Sequence, residues 1–177
     1  MRQHSGKKGA RPSTGGSNGP CARAAGPHPC GLDQREQRFW RLYLDTKRVL
    51  EAALSSELLL HSGLSAAEFA VLVPLSESRD SCVRARDLCR DLGWHRSRLS
   101  HLVARMERRG FVVRVASADD ARGSVIALTA EGRRAITDAA PAYTAAVRRY
   151  LIDLLDEQQM TVMAAAFRRV LGALPPR

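Results

Sequence analysis

The sequence has no long apolar run. The unbroken stretch Val162–Phe167 is about as long as any in the chain, far short of the roughly 18 residues that a membrane-spanning helix requires. Nor do the first thirty residues hold an apolar segment of the kind an export signal needs, so the cytoplasm is the expected location. Cysteine is scarce: Cys21, Cys30, Cys82 and Cys89 form no CxxC pair, and a reducing compartment keeps such thiols free. Cys82 and Cys89 sit in apolar-patterned segments and read as small buried hydrophobes. Cys21, His28 and Cys30 are close enough together to suggest a metal, but they lack an evident fourth ligand, so no metal site is assigned. Catalytic signatures are missing as well. There is no phosphate-cradling glycine loop, no HExxH and no G-x-S-x-G elbow. Serine, histidine and aspartate are present, but nothing in the sequence places them together. The function is therefore read as binding rather than catalysis, with no cofactor.

What is present is a foldable chain with an excess of positive charge. Its 177 residues, 45% of them hydrophobic, leave room for one domain of ordinary size plus a tail. Lys and Arg number 28 against 18 Asp and Glu, a net charge of +10, so a partner with fixed negative charge is the first expectation. Half the excess lies in residues 1–31, which carry five basic residues, no acidic ones, seven Gly and four Pro. Such a segment cannot repay the entropy of ordering and is expected to be a disordered tail. A second concentration, +6 between Arg84 and Arg114, lies within the part expected to fold, residues 32–177.

Along that part, Asp33 followed by Glu36 resembles a capping box, and Trp40, Tyr43, Leu44, Leu54 and Leu58 then share one face of a long helix ending near Gly63. Ser65 and Glu68 repeat the signal and open a helix through Phe69, Leu72 and Leu75. A short extended piece at Cys82–Val83 follows, then a short helix over Arg84–Leu92 stopped by Gly93, and a further helix over Arg96–Arg109 stopped by Gly110. Two helices across a tight glycine turn form a helix-turn-helix, which presents its second helix to the DNA major groove. In that second helix Leu99, Leu102, Val103 and Met106 follow the i, i+3, i+4, i+7 rule and face inward. Ser97, His101, Ala104 and Arg108 lie opposite, flanked by Ser100 and Arg105. This outward face is polar and basic, with no acid before Glu107, whereas a merely solvated helix mixes both signs.

Val112–Val115 and Ser124–Leu128 have strand composition and enclose a small polar loop, a β-hairpin of the kind called a wing. Arg122 near its tip is suited to a narrow minor groove, and Asp120 beside it can steady the turn or hold Arg122 in reach. Thr129 starts a helix with an expected inward stripe of Ile136, Ala140, Tyr143, Val147, Leu151 and Leu154, and with Pro141 as a bend. Asp156 and Gln159 open a last helix carrying Met160, Met163, Phe167, Leu171 and Leu174. A small central module (about residues 64–128) cannot cover both terminal helical regions (about 33–62 and 129–174), so they are expected to pack against a second copy of the chain. The predicted fold is thus mainly α with a small β-hairpin, a winged helix-turn-helix flanked by N- and C-terminal dimerisation helices.

The segment DARGSVIALTAEG, Asp120–Gly132, resembles the DxRxxx(V/I)xLTxxG wing signature of the MarR family of bacterial transcription regulators. The run LGWHRSRLSHLVARMERRG, Leu92–Gly110, resembles that family's recognition helix, and the likeness extends over about Leu32–Leu174. It implies a homodimer on a pseudo-palindromic DNA operator, usually a repressor released by a small-molecule effector or an oxidant. Ser97, Arg98, Ser100 and His101 are then candidates for base-edge contacts, Arg86, Arg96 and Arg105 for phosphates, and Arg122 for the minor groove. The resemblance also implies an effector pocket between the dimerisation helices and the DNA module, for which Trp40, Tyr43, His61, Phe69 and Met106 are candidates, each equally readable as core. The family commonly has Ser where this chain has His95, at a helix N-terminus that approaches phosphate. A protonated imidazole there would add charge attraction, which makes pH-dependent operator affinity an expectation. A His95→Ser protein should lose that dependence between about pH 6 and 8; binding curves that track the parent's across this range would remove it. Two other readings stay open: a winged helix that meets an acidic protein partner, and a regulator whose effector acts chemically on a cysteine or through a metal.

Overall fold

A computed structural model describes residues 31–116 and 124–175. The chain divides into two units, residues 1–40 and 41–177. The described part of the first holds the start of helix α1 (Gln34–Ser62), where the Asp33 carboxylate accepts the Glu36 amide and the Glu36 carboxylate accepts the Asp33 amide, each at 2.8 Å. This is the capping box read from the sequence. The second unit holds the rest of α1, then α2 (Ala66–Glu77), β1 (Cys82–Arg84), α3 (Ala85–Leu92), α4 (Arg96–Arg108), β2 (Val112–Ala116), β3 (Ser124–Leu128), α5 (Ala130–Tyr150), a 3₁₀ turn at Ile152–Leu154 and α6 (Glu157–Ala173).

The caps explain most of these boundaries. Ser65 caps α2 by accepting the Glu68 amide, and the Glu68 carboxylate returns to the Ser65 amide at 2.9 Å, an arrangement that stabilises a helix start by about 1 kcal/mol. Gly93 stops α3 in the left-handed conformation (φ 65°), and the Trp94 amide reaches back to the Cys89 carbonyl at 2.9 Å. Gly110 (φ 75°) does the same for α4, with the Phe111 amide on the Met106 carbonyl at 3.0 Å. Both closures are Schellman turns, whose positive φ suits glycine because it has no Cβ.

The sheet is antiparallel, in the order β1-β3-β2. Beyond the expected hairpin, the Cys82–Arg84 piece is thus a third strand, pairing Val83 with Ile126. The core gathers Leu58, Leu64, Val71, Leu72, Leu75, Leu88, Leu99, Val103, Met106, Phe111, Val112, Ile126, Ile136 and Ala139. Helix α4 contributes Leu99, Leu102, Val103 and Met106, the four residues its periodicity assigned inward.

The stripe of α5 departs from expectation. Its buried residues are Gly132, Ile136, Ala139 and Ala146, whereas Ala140 and Leu154 are exposed. After Ile136 the buried face advances by three residues rather than four. The helix also ends at Tyr150, where Leu151 takes a non-helical conformation (φ −141°) and the 3₁₀ turn carries Leu154 off the stripe. Pro141 lies within α5, which continues past it.

Candidate nucleic-acid interface

Helix α4 is held from below by the four core side chains and at its C-terminal end by charge. Arg114 on β2 donates to the Glu107 carboxylate at 2.8 Å and to the Ser100 carbonyl at 3.0 Å, while its own amide donates to Glu107 at 3.1 Å. Strand β2 and helix α4 are thereby fixed to each other. Thr129 joins α5 to the same place: its hydroxyl donates to the Gly110 carbonyl at 2.6 Å and accepts the Gly132 amide at 3.0 Å, and its amide donates to the Phe111 carbonyl at 3.1 Å.

These ion pairs distinguish among the arginines of the basic cluster. Arg90 is tied to Asp87 and Asp91 at 3.0 and 3.1 Å, Arg109 to Glu68 at 2.9 Å and Arg114 to Glu107. The carboxylates of Asp91 and then Asp87 push the Arg90 guanidinium further toward its charged form. Arg96, Arg98 and Arg108 are exposed and have no ion-pair partner among the described residues. Arg86 and Arg105 lie between these extremes, 3.9 Å from Asp87 and 3.8 Å from Glu68, with more than half of each side chain in solvent. Ser97, Ser100 and His101 are also exposed on α4. His95 is the N-cap residue, its side chain making no capping bond, so the first amides of α4 are left without a side-chain acceptor. Together these residues form a convex, cationic, hydrogen-bonding helix face, with no acid in the first turn. It offers an anion a combined point charge and donor array. Asp120 and Arg122 lie outside the described residues.

Glu68 is the buried charge that the sequence reading treated only as a cap. It is 2% exposed. Burial pushes its carboxyl up, but the Ser65 hydroxyl and amide and the Arg109 guanidinium outweigh burial and hold it below its ordinary value. The signal that could have found it is the apolar pattern of α2, in which position 68 falls beside Val71, Leu72 and Leu75 on the inner face.

The effector candidates differ in their surroundings. Met106 is fully buried in the core. Phe69 is half-buried, its ring 4.6 Å from that of Tyr143. His61 is exposed and paired with Glu57 at 3.2 Å. Tyr43 and Trp40 are exposed on α1, Trp40 as the last residue of the first unit. An open cleft of about 410 Å³ in the second unit is lined instead by Asp45, Thr46, Val49, Leu50, Ala53 and Tyr150. Cys82 and Cys89 are half-buried free thiols, and no group of three His, Cys, Asp or Glu among the described residues is placed to hold a metal. Among the described residues no single helix is long and apolar enough to cross a membrane.

Residues 62–123 match the MarR family. No curated protein matches the chain. Among solved structures, the chain is similar to AbsC, a MarR family transcriptional regulator from Streptomyces coelicolor, at 35% identity and a TM-score of 0.76, over 80% of this chain and 95% of that one. It is similar also to Sco3205, a MarR family transcriptional regulator from the same organism in complex with DNA, at 34% identity and a TM-score of 0.77, over 81% and 94% of the two chains. CouR from Rhodococcus jostii RHA1, bound to p-coumaroyl-CoA, is 27% identical, with a TM-score of 0.66 over 78% and 95%. With its three-stranded antiparallel sheet, its glycine-stopped helix pair and an exposed basic helix, the chain belongs to the MarR family of winged-helix, DNA-binding transcriptional regulators.

Proposed function

We propose that the protein acts as a homodimer on a pseudo-palindromic operator, as a repressor released by a small-molecule effector. The observation that carries the DNA reading is the sorting of arginines. Those whose charge is consumed by internal ion pairs hold the module together, while Arg96, Arg98 and Arg108 keep theirs on the exposed face of α4. In the DNA complex α4 enters the major groove. Ser97, Arg98, Ser100 and His101 face base edges, and Arg86, Arg96 and Arg105 face phosphates. Arg122 enters the minor groove, with Asp120 beside it. The likeness to a relative solved in complex with DNA supports this docking.

Dimerisation is supported by the terminal helices. Helix α6 has no buried residue along its 17 positions, although it carries Val162, Phe167, Val170 and Leu171, all at least half exposed. Leu42, Tyr43, Leu44 and Val49 on α1 are likewise exposed. Exposed apolar side chains along two helices of a single chain mark an association surface. A second copy covers it by twofold symmetry and sets the two recognition helices about 34 Å apart, one turn of B-DNA. An effector that favours a dimer geometry with the wrong spacing releases the operator. The relative bound to p-coumaroyl-CoA supports a small-molecule effector.

Selection of bound sequences from random DNA tests the whole reading. The expected result is a palindrome whose half-sites are about 10 base pairs apart centre to centre. A monomer in solution, or equal affinity for every duplex, overturns it. Within that assay, Arg86→Ala is expected to weaken all sequences alike and to reduce the slope of log K against log salt by about one. An unchanged slope removes Arg86 from the phosphate contacts.

A further inference from the structure

Arg98 is the one base-reading candidate whose guanidinium is already held in place. Its Cζ lies 4.2 Å from the centroid of the Trp94 ring. Trp94 is well placed to be a platform. The Schellman turn after α3 fixes its backbone through the bond to the Cys89 carbonyl at 2.9 Å, and its side chain is half-buried against the core beneath the helix-turn-helix. Arg98 is the third residue of α4, one helical turn beyond the His95 cap, and the stack is the only interaction of its side chain among the described residues.

We propose that Trp94 is a positioning residue for sequence readout: its indole holds the Arg98 guanidinium so that the edge, not the face, meets a guanine in the major groove. The chemistry of the stack allows both contacts together. A cation–π contact uses the face of the guanidinium and leaves its N–H donors around the rim, where two can reach guanine O6 and N7. A free arginine surrenders rotamer freedom when it docks on a base. A stacked one has surrendered part of it before DNA arrives, so the right base is rewarded more and the wrong base leaves a held, unpaired fork. From the sequence, Arg98 is a candidate for a base-edge contact and Trp94 has no role.

The inference rests on Arg98 reading a base edge, and the test separates the two. The quantity measured is the ratio of dissociation constants for the selected operator and for operators substituted singly at each position. Arg98→Ala is expected to flatten that ratio about tenfold at one guanine per half-site. Trp94→Leu, which keeps an apolar side chain but has no π face, is expected to reduce discrimination at the same guanine about two- to fivefold. Discrimination at every other position should stay unchanged. Trp94→Tyr and Trp94→Phe should fall between parent and Leu, in that order, and they supply the ranking even where Trp94→Leu is too unstable to purify. In an Arg98→Ala background the Trp94 variants should have no further effect on the ratio. A Trp94 series that lowers affinity for all sequences alike, with the guanine preference intact, overturns the platform while leaving Arg98 as reader. An Arg98→Ala protein with no positional loss overturns both.

Discussion

Gly132→Ala is expected to lower the melting temperature by about 10 °C, measured at matched protomer concentration, and to abolish operator binding at temperatures where the parent still binds. A Cβ built on Gly132 would stand 2.1 Å from the Phe111 carbonyl oxygen and 2.8 Å from the Leu128 side chain. The first neighbour is backbone that cannot swing away. That carbonyl accepts the Thr129 amide, and the Thr129 hydroxyl in turn spans the Gly110 carbonyl and the Gly132 amide. A methyl group therefore displaces α5 from the junction of recognition helix and wing, and breaks the cap of α5 as it does so. Overpacking of a well-filled site costs about 1–3 kcal/mol, and backbone on one side with a capping network on the other puts this position at the upper end. In a protein of this size about 3 kcal/mol corresponds to roughly 6–12 °C. An alanine protein that melts within 2 °C of the parent would show that the junction yields freely, and the account of this contact would fail. The same geometry gives a physical reason for the LTxxG pattern: a hydroxyl at 129 for the cap, and at 132 a residue without a side chain against the strand.

How much of this was legible in the sequence depends on the kind of information each feature carries. The inner face of α4 was readable residue by residue, because helical periodicity is local and Leu99, Leu102, Val103 and Met106 obey it without interruption. Glycine stops at 93 and 110 and capping boxes at Ser65 and Asp156 were readable for the same reason. The pairing of Val83 with Ile126 was not, since nothing within three residues of chain states where a partner 43 positions away will lie. The stripe of α5 failed at Ala140 because both i+3 and i+4 place an alanine, and only packing chooses Ala139. On the site itself, composition located the basic cluster but could not separate cations spent on internal carboxylates from those left to solvent. Arg109 and Arg108 are adjacent in sequence, and only the fold gives one of them to Glu68.

Arg109→Ala is the second change with a large expected effect, a loss of about 2 kcal/mol at neutral pH. Removing one member of a buried pair costs about 3–5 kcal/mol when the other charge is left alone. Here Ser65 still serves Glu68, Arg105 stands 3.8 Å away, and Arg109 is itself partly in solvent, so the lower figure applies. The arginine does more than neutralise. It donates to the Glu68 carboxylate at 2.9 Å and to the Gly63 carbonyl at 3.2 Å, and stacks 4.5 Å over the Phe111 ring. One side chain therefore ties the end of α1, the start of α2 and the end of the recognition helix. Lysine cannot span these three and should recover less than half the loss. The pH dependence follows from the depressed carboxyl of Glu68. Its contribution is present above the ordinary carboxylate pKa and is lost as pH falls through the lower folded value. Without Arg109 the folded value rises, so the stability gap between parent and variant should narrow as pH falls from the variant's folded value to the parent's lower one, leaving the part due to Gly63 and Phe111. Glu68→Gln combined with Arg109→Ala should cost less than the two single changes added, by on the order of 1 kcal/mol, because the double variant buries no unpaired charge. Chemical denaturation of the four proteins at pH 7 and pH 4 reads all of this. Additive losses with a pH-independent gap would mean that Arg109 acts through Gly63 and Phe111 alone and that Ser65 suffices to hold the buried carboxylate.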